Sequence, residues 1–192
     1  EDFIPDGANK FLHTISPIVA LVPALLTFAV VPFGGQYTLF DKEVNLVISD
    51  LDVGLLFVFA IASLATYGYV IAGWSSNNNW SLLGSMRTAS QMISYEVTMG
   101  LTIIGVLMVY GSMKLTEIGA IQENFWMWGI FLQPLGFFMF LTASIAENKR
   151  IPFDAPEAES ELVAGYFTEY SGLKFGMFFM AEFIEMVTIG AI

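Results

Sequence analysis

Apolar and polar positions along this chain alternate in long blocks rather than residue by residue. Ile15–Phe33, Leu51–Trp74, Ile93–Met113, Phe125–Ala146 and Leu173–Ile192 are nearly unbroken apolar stretches. Each is close to the ~20 residues a helix needs to cross a ~30 Å hydrocarbon layer. A transmembrane barrel would instead show ~10-residue segments of strict alternation. The pattern predicts an all-α fold: a polytopic transmembrane helix bundle of about five spans, forming a single membrane domain over residues 1–192.

Between the spans, Glu1–Thr14 reads as a surface lead-in and Gly34–Asp50 as a polar loop. Pro23 sits inside the first span, where a bundle helix tolerates a kink if neighbours satisfy the freed carbonyl. Ser75–Met92 interleaves Leu82, Leu83, Met86 and Met92 with Arg87 and Gln91, which predicts a short interfacial helix before the third span. Lys114–Asn124 is a short polar connection. The longest polar connection is 147–172, an acidic loop with Glu147, Asp154, Glu157, Glu159, Glu161 and Glu169 set against Lys149 and Arg150.

Composition sharpens the class. Only 13 % of residues are charged and 56 % are hydrophobic, with 18 Phe and 4 Trp, whereas a soluble domain carries about 25 % charged residues. The net charge of −11 weighs against a nucleic-acid partner, since phosphate binding needs Lys and Arg. With no cysteine and one histidine, His13, these residues supply neither a thiolate-ligated iron–sulfur cluster nor a bis-histidine haem. No metal site is expected, and electrons for any redox chemistry must come from another subunit. His13 reads as a surface or capping residue. The chain begins at Glu1 rather than Met and stops inside an apolar run, which reads as the central piece of a longer protein.

Cations sort by side. Lys10, Arg87, Lys149, Arg150 and Lys174 fall on one side of the layer and Lys42 and Lys114 on the other. The positive-inside rule then puts the acidic loop on the cytoplasmic or matrix side.

Carboxylates at membrane depth carry the candidate chemistry. Each costs ~2.5–3.5 kcal/mol at a helix centre and needs a partner, a proton or a water-filled cavity. Glu96, Glu147, Glu182 and Glu185 are the candidates, and a row of such acids can pass protons. For Glu96 and Glu147 the bland alternative is a place at the interface, within reach of water or Arg150. Glu182 and Glu185 lie too deep for that and share a helix face, so they are expected to line a cavity. In the loop, Asp154-Ala-Pro-Glu157 has the form of a helix start, with Asp as N-cap. Arg150 is expected to clamp carboxylates through its guanidinium fork. Phe153, Tyr166, Phe167 and Tyr170 suit ordinary packing, or a slot for a flat ring. Nucleotide-phosphate motifs and a Ser/His/Asp set are absent, and no residue of this chain is assigned a catalytic role.

The stretch E-N-K-R-I-P-F-D-A-P-E-A-E-S-E-L-V-A-G-Y-F-T-E-Y-S-G, 147–172, resembles the H-type family of membrane subunits (subunit 1) of respiratory complex I, the NADH:quinone oxidoreductase. L-D-V-G-L-L (51–56), A-G-W-S-S-N (72–77), Q-M-I-S-Y-E-V (91–97) and M-A-E-F (180–183) extend the resemblance over nearly the whole chain. It implies an irregular bundle of tilted helices that docks a peripheral redox arm and, with its neighbours, walls a chamber for quinone, the substrate. By that resemblance Arg150, Phe153, Asp154, Glu157, Glu159, Glu161, Glu169 and Glu182 belong to the chamber and loop. Glu96 and Glu147 belong to a proton route toward antiporter-like subunits.

Other implied partners are the peripheral-arm quinone-site and terminal iron–sulfur subunits, small membrane subunits and membrane lipid. The resemblance also implies that iron–sulfur clusters and FMN reside only in partner subunits and that no cofactor is bound covalently in this chain. The implied location is an energy-transducing membrane, the bacterial cell inner membrane or the mitochondrial inner membrane. Lys149 stands where many members have Asn, Phe183 replaces Tyr, and Glu185 is outside the family pattern. The nearest alternative is the homologous subunit of an energy-converting hydrogenase-type complex. A free-standing ion transporter and a purely structural anchor are further off.

Overall fold

Asn9 starts the first helix: its side-chain carbonyl accepts the Leu12 N–H at 3.3 Å, an N-cap for one of the orphan donors of the first turn. In the computed structural model, which describes residues 4–34, 36–39, 42–155 and 165–192, helix α1 spans Lys10–Thr27 with Pro17 and Pro23 inside it. The helix therefore begins within the expected lead-in. Its buried stripe, His13, Ser16, Pro17, Ala20, Pro23, Ala24 and Thr27, repeats every three to four residues, the period of one helix face.

The stripe is small because α2 (Gly54–Ser75) lies hard against it. A Cβ on Gly68 would sit 2.7 Å from the Ala20 backbone nitrogen. Close backbone approach at small residues is how helices associate in a layer whose lipid tails are as apolar as Leu. Between α1 and α2 the expected polar loop contains an antiparallel hairpin, β1 (Gln36–Leu39) and β2 (Lys42–Asn45), with Gln36 opposite Asn45 and Leu39 opposite Lys42.

Helix α3 runs from Asn79 to Tyr110, about 48 Å at ~1.5 Å per residue. The expected interfacial helix at 75–92 is not a separate element, since the chain enters the third span without a break. Asn78 caps the start, accepting from Trp80 N–H at 2.9 Å. Gly111, at φ +70°, closes the end through its N–H to Leu107 O, the left-handed C-cap that glycine adopts without Cβ strain.

The expected fourth span is broken. After α4 (Leu115–Ile121), a 3-10 turn at Phe125–Met127 and one helical turn α5 (Gly129–Leu132) precede α6 (Pro134–Glu147). Pro134 removes an N–H and excludes its predecessor from helical geometry, and Gln133 sits at φ −140°, ψ 68°. A second 3-10 turn, Gly165–Phe167, leads to α7 (Gly172–Ala191).

Among the described residues, α1, α2 and α3 are long and apolar enough to cross a membrane. Helix α6 is shorter, and α7 carries Lys174, Glu182 and Glu185. Large apolar side chains face outward along these helices, among them Leu101, Met108, Leu135, Leu173 and Val187, as a lipid-facing surface requires. The core joins Ala20, Ala65, Tyr69, Ala72, Met92, Tyr166, Phe167, Tyr170 and Phe178. At the other end Val30, Leu55, Val58 and Leu115 form a second cluster.

Candidate functional site

The C-terminus of α6 sets the geometry. Arg150 N–H reaches Ile145 O at 3.2 Å and Lys149 N–H reaches Ala146 O at 3.1 Å, the paired bonds of a Schellman cap. Glycine usually fills the left-handed position of this cap, but here Lys149 does, at φ 53°. A non-glycine residue there costs roughly 1–2 kcal/mol. That conformation turns the Lys149 side chain back into the bundle. Its Nζ lies 2.7 Å from Glu182 Oε1, with side-chain exposures of 0 % and 1 %. It also donates to Tyr166 Oη at 3.3 Å and stands 3.9 Å from the Tyr69 ring centroid.

Tyr166 O–H donates to the same Glu182 oxygen at 2.7 Å. Arg150 approaches Glu182 Oε2 at 3.9 Å and stacks over Phe183 at 5.2 Å. A buried ion pair is tolerated when further hydrogen bonds and ring faces surround it. Arg150 lies beside this carboxylate, but its single approach of 3.9 Å is not the two-bond guanidinium fork expected. The principal cation on Glu182 is Lys149, which the sequence marked as a cation among the loop acids and a departure from the family pattern but not as the partner of Glu182.

On the inner side of this pair, Glu96, Glu147 and Glu185 line one cavity of ≈ 40 Å³ with Thr27, Met99 and Thr188. Glu96 accepts a hydrogen bond from Ser63 Oγ on α2. Glu147 and Glu185 are each 7 % exposed. Glu147 Oε2 and Glu185 Oε1 have no hydrogen-bond partner among the described residues.

The loop is tied to the start of α3. Asn78 Nδ2 donates to Glu169 Oε1 at 2.7 Å, and Ser81 Oγ donates to Tyr166 O at 2.9 Å. Gln91 Nε2 donates to Ala146 O and to Phe153 O, both at 2.8 Å. Phe153 packs on Tyr95 with ring centroids 5.5 Å apart, and Asp154 is half-buried beside it. Gly84 lets the loop approach, because a Cβ there would lie 2.6 Å from the Gly165 carbonyl carbon. Glu157, Glu159 and Glu161, and the helix start expected at Asp154–Glu157, lie wholly or partly outside the described residues.

His13 is fully buried, stacked flat on Tyr170 at 4.0 Å, and so is not the surface residue expected. Tyr170 Oη meets Ser16 Oγ at 2.7 Å and Ser75 Oγ at 3.2 Å, which fastens the loop to α1 and α2. The even apolar pattern of α1 hid this packing, because the partner Tyr170 is far away in sequence.

The whole chain, residues 1–192, matches the family model described as NADH dehydrogenase. It is 52 % identical over 192 residues to an H-type NADH-quinone oxidoreductase subunit of Geobacter metallireducens, covering all of this chain and 58 % of that protein. It is 50 % identical to an H-type subunit of the same enzyme from Geobacter sulfurreducens, over the same shares. With the H-type NADH-quinone oxidoreductase subunit of Syntrophotalea carbinolica it is 48 % identical over 191 residues, 57 % of that protein. The chain thus spans rather more than half the length of these curated relatives.

Proposed function

We propose, from the premise that this chain belongs to the NADH dehydrogenase family, that it serves in the membrane arm of a proton-pumping NADH:quinone oxidoreductase. In this reading Arg150, Phe153, Asp154, Glu157, Glu159, Glu161, Glu169 and Glu182 face or brace a quinone chamber. Glu96 and Glu147 start the route that couples quinone reduction to proton movement. The acidic loop lies on the cytoplasmic or matrix side, against the peripheral iron–sulfur subunits.

One observation carries it. Glu96 and Glu147, from different helices, line a single cavity inside an apolar bundle, and the helix that carries Glu96 also holds described parts of the loop through Asn78, Ser81 and Gln91. Carboxylates at such depth are costly and mark proton or ion paths. The names of the relatives supply the quinone side of the reading. A quinone that takes two electrons becomes anionic and draws two protons, and the field change is felt by acids behind the chamber. In a medium of low dielectric that field is weakly screened.

Gentle solubilisation followed by mass spectrometry of what co-purifies tests the assembly. Iron–sulfur subunits, an NADH-oxidising flavoprotein and antiporter-like subunits are expected. A nickel–iron hydrogenase subunit in place of the flavoprotein would overturn the NADH assignment. In the assembled complex, Glu147→Gln is expected to lower quinone-linked turnover or the proton-to-electron ratio. Unchanged values for both would remove Glu147 from the route.

A further inference from the structure

Glu185 extends the acid cavity beyond the two carboxylates already discussed. It is three residues from Glu182 on α7, yet the two acids have different surroundings. Glu182 is engaged by Lys149, Tyr166 and Arg150. Glu185 turns into the cavity shared with Glu96 and Glu147, and one of its oxygens has no hydrogen-bond partner among the described residues. Glu147 presents an equally unpartnered oxygen.

The charged groups around the pair are Glu96 from α3, Lys149 from the α6 cap and Glu182 from α7 itself. Helix α2 presents only Val58, Phe59 and Ala62 there, and α1 presents Thr27. Among the described residues no three acids or histidines are grouped closely enough to hold a metal ion. A volume of ≈ 40 Å³ exceeds the ~10–15 Å³ that one water needs. Glu147 and Glu185 line this space, each slightly exposed and each with a second, buried oxygen that has no protein partner among the described residues, a setting that suits bound water and a proton rather than a metal.

We propose that Glu185 is a third proton-carrying carboxyl of the route, exchanging a proton with Glu147 through water in the cavity, while Glu182 serves as the fixed counter-charge of Lys149. The step balances without electrons. The O–H bond of protonated Glu147 breaks as its proton passes to a water. That water releases a proton to the Glu185 carboxylate, leaving Glu147 ionised and the total charge unchanged. Lys149, held in the Schellman cap, confines Glu182 to its ion pair, so Glu185 is the α7 acid left to exchange. This rests on the proposed membrane-arm function, since it adds a carrier to that route.

The test uses the assembled complex in proteoliposomes, with infrared difference spectra on quinone reduction recorded in H₂O and D₂O. Glu185→Gln is expected to delete a deuterium-sensitive carboxylic C=O band and to lower coupled turnover by on the order of 10²-fold, the scale of a lost positioned proton carrier. Glu185→Asp keeps the acid and should shift the band and restore part of the rate. It also serves if the Gln variant does not assemble, and an unmoved band in Glu185→Asp overturns the proposal. If Glu147→Gln impairs turnover while Glu185→Gln leaves band and rate intact, Glu185 is no carrier and the route stands without it. If neither variant changes anything, the acid route itself falls.

Discussion

Lys149 and Glu182 are joined across 33 residues of sequence by an ion pair of 2.7 Å from which solvent is almost wholly excluded. Removing one partner of such a pair strands a charge and costs about 3–5 kcal/mol, whereas replacing both with apolar groups is often neutral. Lys149→Met alone is therefore expected to lower the melting temperature of the solubilised protein sharply. Lys149→Met with Glu182→Leu should recover most of the loss. A thermal-melting double-mutant cycle with additive losses would show the pair to be uncoupled.

Gly84 meets Gly165 backbone to backbone, and a Cβ at Gly84 would also come within 2.8 Å of Tyr166 N. Neither contact is the tip of a flexible side chain. Gly84→Ala should destabilise by about 1–3 kcal/mol, the range of overpacking, and should push Tyr166 away from Glu182. Melting together with tyrosine infrared bands reads both effects, and an unperturbed melt would show that the loop has slack.

Gln91 spends both amide hydrogens on carbonyls of the α6 end and the loop, Ala146 and Phe153. Gln91→Leu keeps the bulk but takes the donor from Phe153 O, at about 1–3 kcal/mol if that carbonyl stays buried, while Ala146 O keeps the Lys149 N–H. Hydrogen exchange should rise across residues 148–153 and remain unchanged in α1. Equal protection in variant and parent would assign the hold on the loop to other contacts.

At the opposite end Lys114 reaches Asp50 at 2.8 Å and Asp52 at 3.8 Å. The hydrogen bond from Lys114 holds the Asp50 carboxyl below its ordinary value, and the same bond to Asp50 raises Lys114. A carboxyl with a depressed folded value stabilises above its unfolded value, and that contribution fades as pH falls through the folded one. A lysine with a raised folded value stabilises below its unfolded value, and its contribution is lost as pH rises through the folded one. The tie is therefore complete through neutral pH and released at both extremes. Being solvent-accessible, it is also weakened by salt. Nuclear magnetic resonance titration of Asp50 in Lys114→Ala should show its value returning upward, and an unchanged titration would remove Lys114 as the cause.

The helical bundle is legible in the sequence because apolar blocks of spanning length leave few other folds. Its finer divisions are less so. Pro134 is visible, but an apolar run reads the same on both sides of a break, so Gln133 gives no warning. Ser75–Met92 looks amphipathic because its small residues, Ser81, Gly84, Ser85 and Ala89, face protein rather than lipid, a pattern that mimics an interfacial helix. The shared face of Glu182 and Glu185 follows from helix period alone. Their division of labour does not, because it depends on a lysine steered by a left-handed cap. The depth of His13 is hidden for a similar reason: its partner, Tyr170, arrives from the far end of the chain.

Helix α3 has one further consequence. At about 48 Å it exceeds a ~30 Å hydrocarbon layer, so it leans or projects, as its packing against neighbouring helices dictates. Asn78 at its cap, with Ser81 and Gln91 in its first turns, grips the loop. The rod thus carries Glu96 and the grip on Phe153, Tyr166 and Glu169 on one continuous element.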